Sequence, residues 1–128
     1  MSKKILIIDD EKDFIKLLKL NLEAKGGYEV LALLNANDII PQVHQFKPDI
    51  ILLDILMPGI KGLEACEILN HDASGSGIPI IILSALCKDI DKLKAYKAGA
   101  VDYLEKPIEI GYLVDRIEKH LRLKNSPK

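Results

Sequence analysis

The sequence predicts a single α/β domain of the doubly wound kind, with one parallel sheet covered by helices on both faces. Three observations carry that prediction. Five short apolar runs recur along the chain, each followed by residues at helical spacing. One run, Ile50-Ile51-Leu52-Leu53, has no polar break, as expected of a strand buried on both faces. Strict β-α alternation then requires right-handed crossovers between parallel strands, a (βα)5 arrangement.

The elements follow in order. Ile5 to Ile8 form the first strand, and Phe14, Leu17, Leu18, Asn21 and Leu22 mark a helix closed by Gly26-Gly27. Tyr28 to Leu33 form the second strand. Ile39, Ile40, Val43 and Phe46 mark the second helix, which Asn35 or Asn37 can cap. Pro41 fits only a first helical turn and places the start near Asp38. After Ile50 to Leu53, a Met57-Pro58-Gly59 turn leads to a helix carrying Leu63, Cys66 and Leu69. Asp72-Ala73-Ser74-Gly75-Ser76-Gly77 reads as a flexible loop before the fourth strand, Ile80 to Leu83. The fourth helix carries Ile90, Leu93 and Tyr96 but is polar on most sides (Asp89, Asp91, Lys92, Lys94, Lys97), and Gly99 follows it as a cap. Val101 to Leu104 form the fifth strand. Ile110, Leu113, Val114, Ile117 and Leu121 form the stripe of the fifth helix. One domain is expected over residues 1–124, with 125–128 a polar tail or the start of a linker.

Composition narrows the function classes. A chain of 128 residues, 48% hydrophobic and 29% charged, can bury a core. Its net charge of -1 gives no basic footprint for nucleic acid. No apolar run reaches membrane-spanning length, and the four residues after Lys4 are too short for a signal-peptide core. Cys66 and Cys87 show no metal-binding spacing and are expected to be buried thiols in a reducing compartment, which places the chain in the cytoplasm.

In a sheet of this kind ligands bind beyond the carboxyl ends of the strands. Asp9 and Asp10 follow the first strand, Asp54 the third, Ser84 the fourth, and Glu105, Lys106 and Pro107 the fifth. Each has an ordinary alternative: a helix-start carboxylate, a turn hydroxyl, a solvated lysine. Together they form a complementary set. Crowded carboxylates raise one another's pKa unless neutralised. An all-oxygen donor set without histidine or cysteine selects a hard cation, Mg2+ above all. A lysine and a hydroxyl beside it suit a phosphoryl group, and an aspartate can accept one covalently. His44, His71 and His120 lie at no strand end and are expected on the surface or on helix faces, without catalytic roles.

These residues resemble the receiver domain of two-component response regulators over positions 3 to 123. The resemblance rests on Asp9-Asp10, on Asp54 with Met57-Pro58-Gly59 and Gly62, on Ser84-Ala85, and on Gly99-Ala100-Val101-Asp102-Tyr103-Leu104-Glu105-Lys106-Pro107. It implies a flavodoxin-like strand order 2-1-3-4-5. It implies that Asp54 is the phosphoacceptor, and that Asp10, Asp54 and the Leu56 carbonyl ligate Mg2+, with Asp9 acting mainly through water. It implies that Lys106 pairs with the phosphoryl oxygens, that Ser84 donates to one of them, and that Tyr103 changes rotamer on activation. The Lys106-Pro107 bond is expected to be cis.

The resemblance further implies a phosphoacceptor signalling domain rather than an enzyme acting on other molecules. Its donor would be a sensor histidine kinase or histidine phosphotransfer protein. Its output surface, formed by the fourth helix, fifth strand and fifth helix, would act on an effector domain or protein, with homodimer formation on phosphorylation a further expectation. Neither nucleic acid nor membrane is an expected direct partner. Leu56 and Leu86 flank the site, and such bulky apolar groups predict slow self-dephosphorylation. Three rivals are a phosphorylation-independent interaction module, an aspartyl-nucleophile phosphohydrolase, and a nucleotide- or flavin-binding protein, whose phosphate Asp9-Asp10-Glu11 would repel without a metal. The first leaves the complete chemical set without a use. The second usually places its nucleophile after the first strand and needs room for a substrate cap.

Overall fold

Side-chain alternation sets the architecture. Leu6, Ile8, Ile51, Leu53, Ile80 and Ile82 point to one face of a five-stranded sheet, and Ile5, Ile7, Ile50, Leu52, Ile81 and Leu83 point to the other. Both sets are almost wholly buried, which explains strands that are apolar at every position. The computed structural model describes residues 2–55, 62–72, 75, 77–86 and 88–125. Leu56, the Met57-Pro58-Gly59 turn, Cys87, part of the loop between 72 and 77, and the tail from 126 lie outside the described residues.

The elements are β1 (Lys4–Ile8), α1 (Lys12–Gly26), β2 (Glu29–Leu33), α2 (Ile39–Phe46), β3 (Ile50–Leu53), α3 (Gly62–His71), β4 (Ile80–Ser84), α4 (Asp89–Lys97), β5 (Asp102–Glu105) and α5 (Ile110–Asn125). All strand pairs are parallel, in the order β2-β1-β3-β4-β5. Residues of α1 and α5 (Ile15, Leu18, Leu22, Leu113, Ile117, Leu121) fill one face. Residues of α2, α3 and α4 (Ile39, Val43, Ala65, Cys66, Leu69, Ala95) fill the other. Strand order reverses between β1 and β3, so Asp9 and Asp54 leave the sheet from adjacent strands; Ile8 lies opposite Leu53, and the Asp54 amide donates to the Ile8 carbonyl at 2.9 Å.

Local details differ from the sequence reading in three places. Asp38, not Asn35 or Asn37, stands at the N-cap position of α2, without a side-chain capping bond; Asn35 instead accepts the Asn37 amide within its own turn. Leu17 in α1 is 62% exposed, because Ile15, Leu18 and Leu22 already cover the sheet. In α4 the apolar spacing is real but faces outward: Ile90, Leu93 and Tyr96 are each about half exposed, and Ala95 is the buried residue of the helix. The Asp91 Oδ2 atom on α4 is buried with no hydrogen-bond partner among the described residues. No helix is long and apolar enough to cross a membrane, among the described residues.

Two glycines are dictated by geometry. Gly27 ends α1 at φ 65°, a left-handed conformation that costs other residues more. Gly62 opens α3 against the end of β3, where a Cβ would lie 2.3 Å from the Ile55 Cα and 2.4 Å from the Asp54 carbonyl oxygen.

Candidate functional site

At the carboxyl edge of the sheet, Asp9 is 1% exposed, Asp54 4% and Ser84 0%. Burying two carboxylates this close is costly without compensation. The compensation comes from Lys106, directly after β5. Its ammonium donates to Asp9 Oδ2 at 2.7 Å and to Glu11 Oε1 at 3.0 Å, and lies 3.7 Å from Asp54 Oδ2. It also sits over the Phe14 ring, 4.3 Å from the centroid. Burial opposes the charge on Lys106, but the hydrogen bonds to Asp9 and Glu11, with the nearby Asp54, outweigh it and raise its pKa above the ordinary lysine value.

The site is assembled locally by backbone contacts. The Lys106 amide donates to the Ser84 carbonyl at 2.8 Å, fixing the β5 exit against β4. The Lys106-Pro107 peptide is cis. The Glu11 amide donates to Asp9 Oδ1 at 3.0 Å, an Asx turn that orients the buried carboxylate at the start of α1. Ser84 Oγ accepts from the Leu86 amide at 3.1 Å, and the Leu86 carbonyl accepts from the Tyr103 hydroxyl at 2.6 Å. Tyr103 is 7% exposed, its ring turned inward against the α4 side of the core. A chain of contacts thus runs from Ser84 through Leu86 to Tyr103.

Carboxylate oxygens of Asp9, Glu11 and Asp54 lie within 4.8 Å of one another. This all-oxygen set suits a hard divalent cation better than a soft one, so the residues present fit Mg2+. Asp10 is exposed and stands outside this trio; Leu56 lies outside the described residues. Glu11 and Phe14 were not singled out from the sequence as site residues. Glu11 read as part of an acidic run, and Phe14 as one more apolar position of a helix.

A second polar cluster lies at the other end of β5. Asp102 is 6% exposed; its Oδ1 accepts from the Tyr103 amide at 2.9 Å, and its Oδ2 accepts from Arg116 Nε at 2.6 Å and pairs with His120 Nε2 at 2.9 Å. Burial disfavours the charge on Asp102, yet the bonds from His120, Arg116 and Tyr103 hold its pKa below the ordinary value. His120 is therefore no surface residue: it is 8% exposed, on the inner side of α5. Cys66 is buried, and burial followed by the Glu67 charge pushes its thiol pKa up to about 11, which makes it unreactive.

Solved structures share this fold. A two-component response regulator from Clostridium difficile has 31% identity and a TM-score of 0.89, the match covering 98% of this chain and all of that one. The signal receiver domain of a signal transduction histidine kinase from Syntrophus aciditrophicus has 27% identity and a TM-score of 0.88, with 99% and 96% covered. The response regulator DrrB from Thermotoga maritima has 28% identity and a TM-score of 0.82, with 97% of this chain but 54% of that one covered. The model of the response regulator receiver domain family matches residues 5–118. With that match spanning most of the chain, and a five-stranded sheet of order 2-1-3-4-5, the chain belongs to the response regulator receiver domain family.

Proposed function

We propose that Asp54 accepts a phosphoryl group from a phosphohistidine and that this covalent change is the signal the domain carries. The observation that carries the reading is the buried Asp54 carboxylate, 3.7 Å from a lysine already neutralising Asp9. In the transfer, an Asp54 oxygen forms the new P–O bond as the P–N bond to the donor imidazole breaks. Lys106 balances negative charge on the transferred oxygens, and the Ser84 hydroxyl, at the end of the strand beside β3, donates to one of them. Asp9, Asp10, Asp54 and the Leu56 carbonyl would hold Mg2+, leaving Glu11 to Lys106, and the ion would supply further charge neutralisation when bound.

The donor is a sensor histidine kinase or a histidine phosphotransfer protein. Engagement of Ser84 and Lys106 by the phosphate would bias the Leu86–Tyr103 contact and with it the surface of α4, β5 and α5, where an effector or a second copy would dock. The same reading places the domain over residues 1–124 in the cytoplasm, with neither nucleic acid nor membrane as a direct partner. It assigns the chain no turnover of other molecules. Leu86 is half-buried and its amide donates to Ser84 Oγ, so an apolar side chain borders the site, which supports a phosphoryl half-life well beyond seconds.

Intact mass after incubation with a small acyl phosphate tests this. The expected result is a magnesium-dependent gain of one phosphoryl group that is lost in Asp54→Asn. Absence of modification under every condition would instead favour a phosphorylation-independent interaction module, and donor turnover far above one equivalent per minute a phosphohydrolase. A half-life of seconds would overturn the slow-loss expectation alone.

A further inference from the structure

We infer that Glu11 is a positioning residue that holds Lys106 on the Asp9 side of the site and competes for it with any group bound at Asp54. The inference rests on the phosphoacceptor reading of Asp54. Asp9, Glu11 and Lys106 close a ring: the Glu11 amide donates to Asp9 Oδ1, while the Lys106 ammonium donates to Asp9 Oδ2 and Glu11 Oε1. Two of the three ammonium donors are therefore engaged away from Asp54. The 3.7 Å separation to Asp54 Oδ2 lies beyond hydrogen-bond length. One donor remains, but drawing the ammonium the rest of the way toward Asp54 lengthens one of its two carboxylate contacts.

Magnitudes decide which one. The Asp9 side chain is 2% exposed, so removing its cation would strand a buried charge, the costly case. The Glu11 side chain is 61% exposed, and its half of the pair is screened by water. Glu11 is thus the contact that yields. The Phe14 ring, whose centroid is 4.3 Å from the ammonium, is a further contact that holds Lys106. Glu11 also adds negative charge near the acceptor, which opposes an incoming phosphoryl anion.

Glu11→Gln keeps the shape and removes the charge at an exposed position, so the fold is retained. At saturating magnesium it should take up the phosphoryl group from a small acyl phosphate about two- to fivefold faster than wild type, the range set by a partly exposed ion pair. Without donor or metal, the Lys106 side-chain Nζ and Cε resonances should move, and Phe14→Leu should move them too. Unchanged resonances in both variants would overturn the inference. So would a slower Glu11→Gln uptake that excess magnesium restores, because Glu11 would then be a cation ligand. If wild type takes up no phosphoryl group, the phosphoacceptor reading fails, while the resonances still decide whether Glu11 holds Lys106.

Discussion

Asp54 and Asp102 are aspartates of one sheet, nearly equally sealed at 4% and 6% exposure, and β5 serves both. Asp102 begins that strand, and Lys106 leaves it on its way to Asp54. Around Asp102 a guanidinium, an imidazole and a backbone amide converge on the two oxygens at bonding distance. Near Asp54, Lys106 stands at 3.7 Å and bonds Asp9 and Glu11 more closely. One carboxylate is locked into the fold, while the other shares its neutralisation with acidic neighbours. Equal burial therefore goes with two different surroundings, and on the proposed function it is the commitment of the counter-charge that separates a structural acid from a chemical one.

Asp102→Asn strains this contrast hardest. Removing the charge leaves Arg116 and His120 facing a neutral group, and urea unfolding should show a loss of about 3 kcal/mol, the scale of a broken buried pair. Phosphoryl uptake at Asp54 should persist wherever the variant is folded. Next, Lys106→Met should cost about 2 kcal/mol, since Asp9 and Asp54 would then face each other without the ammonium. Added magnesium should recover more stability in that variant than in wild type, read as a larger rise in melting temperature.

Acid separates the two regions again. The folded-state pKa of Asp102 lies below its ordinary 3.8, so its contribution is complete above that value and is lost as pH falls through the depressed one. The urea midpoint of the wild type should drop along that limb, and Asp102→Asn should flatten the drop. Tyr103→Phe removes the bond to the Leu86 carbonyl and should cost about 1 kcal/mol in the same assay. Smallest of all, Asp54→Asn should change stability by less than about 1 kcal/mol, because it relieves carboxylate crowding even as it weakens the field on Lys106. A loss as large as that of Asp102→Asn would erase the distinction.

The sheet was legible because fully apolar strands leave little freedom: each run had to be buried on both faces, and alternation with helices fixed parallel pairing. Asp9, Asp54, Ser84 and Lys106 were legible as a group because they are the residues at which those runs end. Glu11 and Phe14 were not, since their part depends on which way the first turn of α1 points its side chains. The Asp102–His120 contact joins residues 18 apart on a strand and a helix, and no spacing rule marks such a pair. In α4, periodicity identified an apolar face but not its direction; small Ala95 takes the sheet-facing position, and the larger groups turn outward.

That inverted helix has a consequence for fidelity. With alanine as its buried anchor and Asp91 Oδ2 orphaned, α4 is held by little apolar area and carries an unsatisfied group worth about 1–3 kcal/mol against it. Its amides should exchange with solvent through local opening well below the global unfolding free energy. If α4 is the readable surface, a modest bias suffices to move it, but the unmodified chain also visits the moved state more often. Sensitivity and background then come from the same weak hold, and a larger residue at position 95 could not lower one without lowering the other.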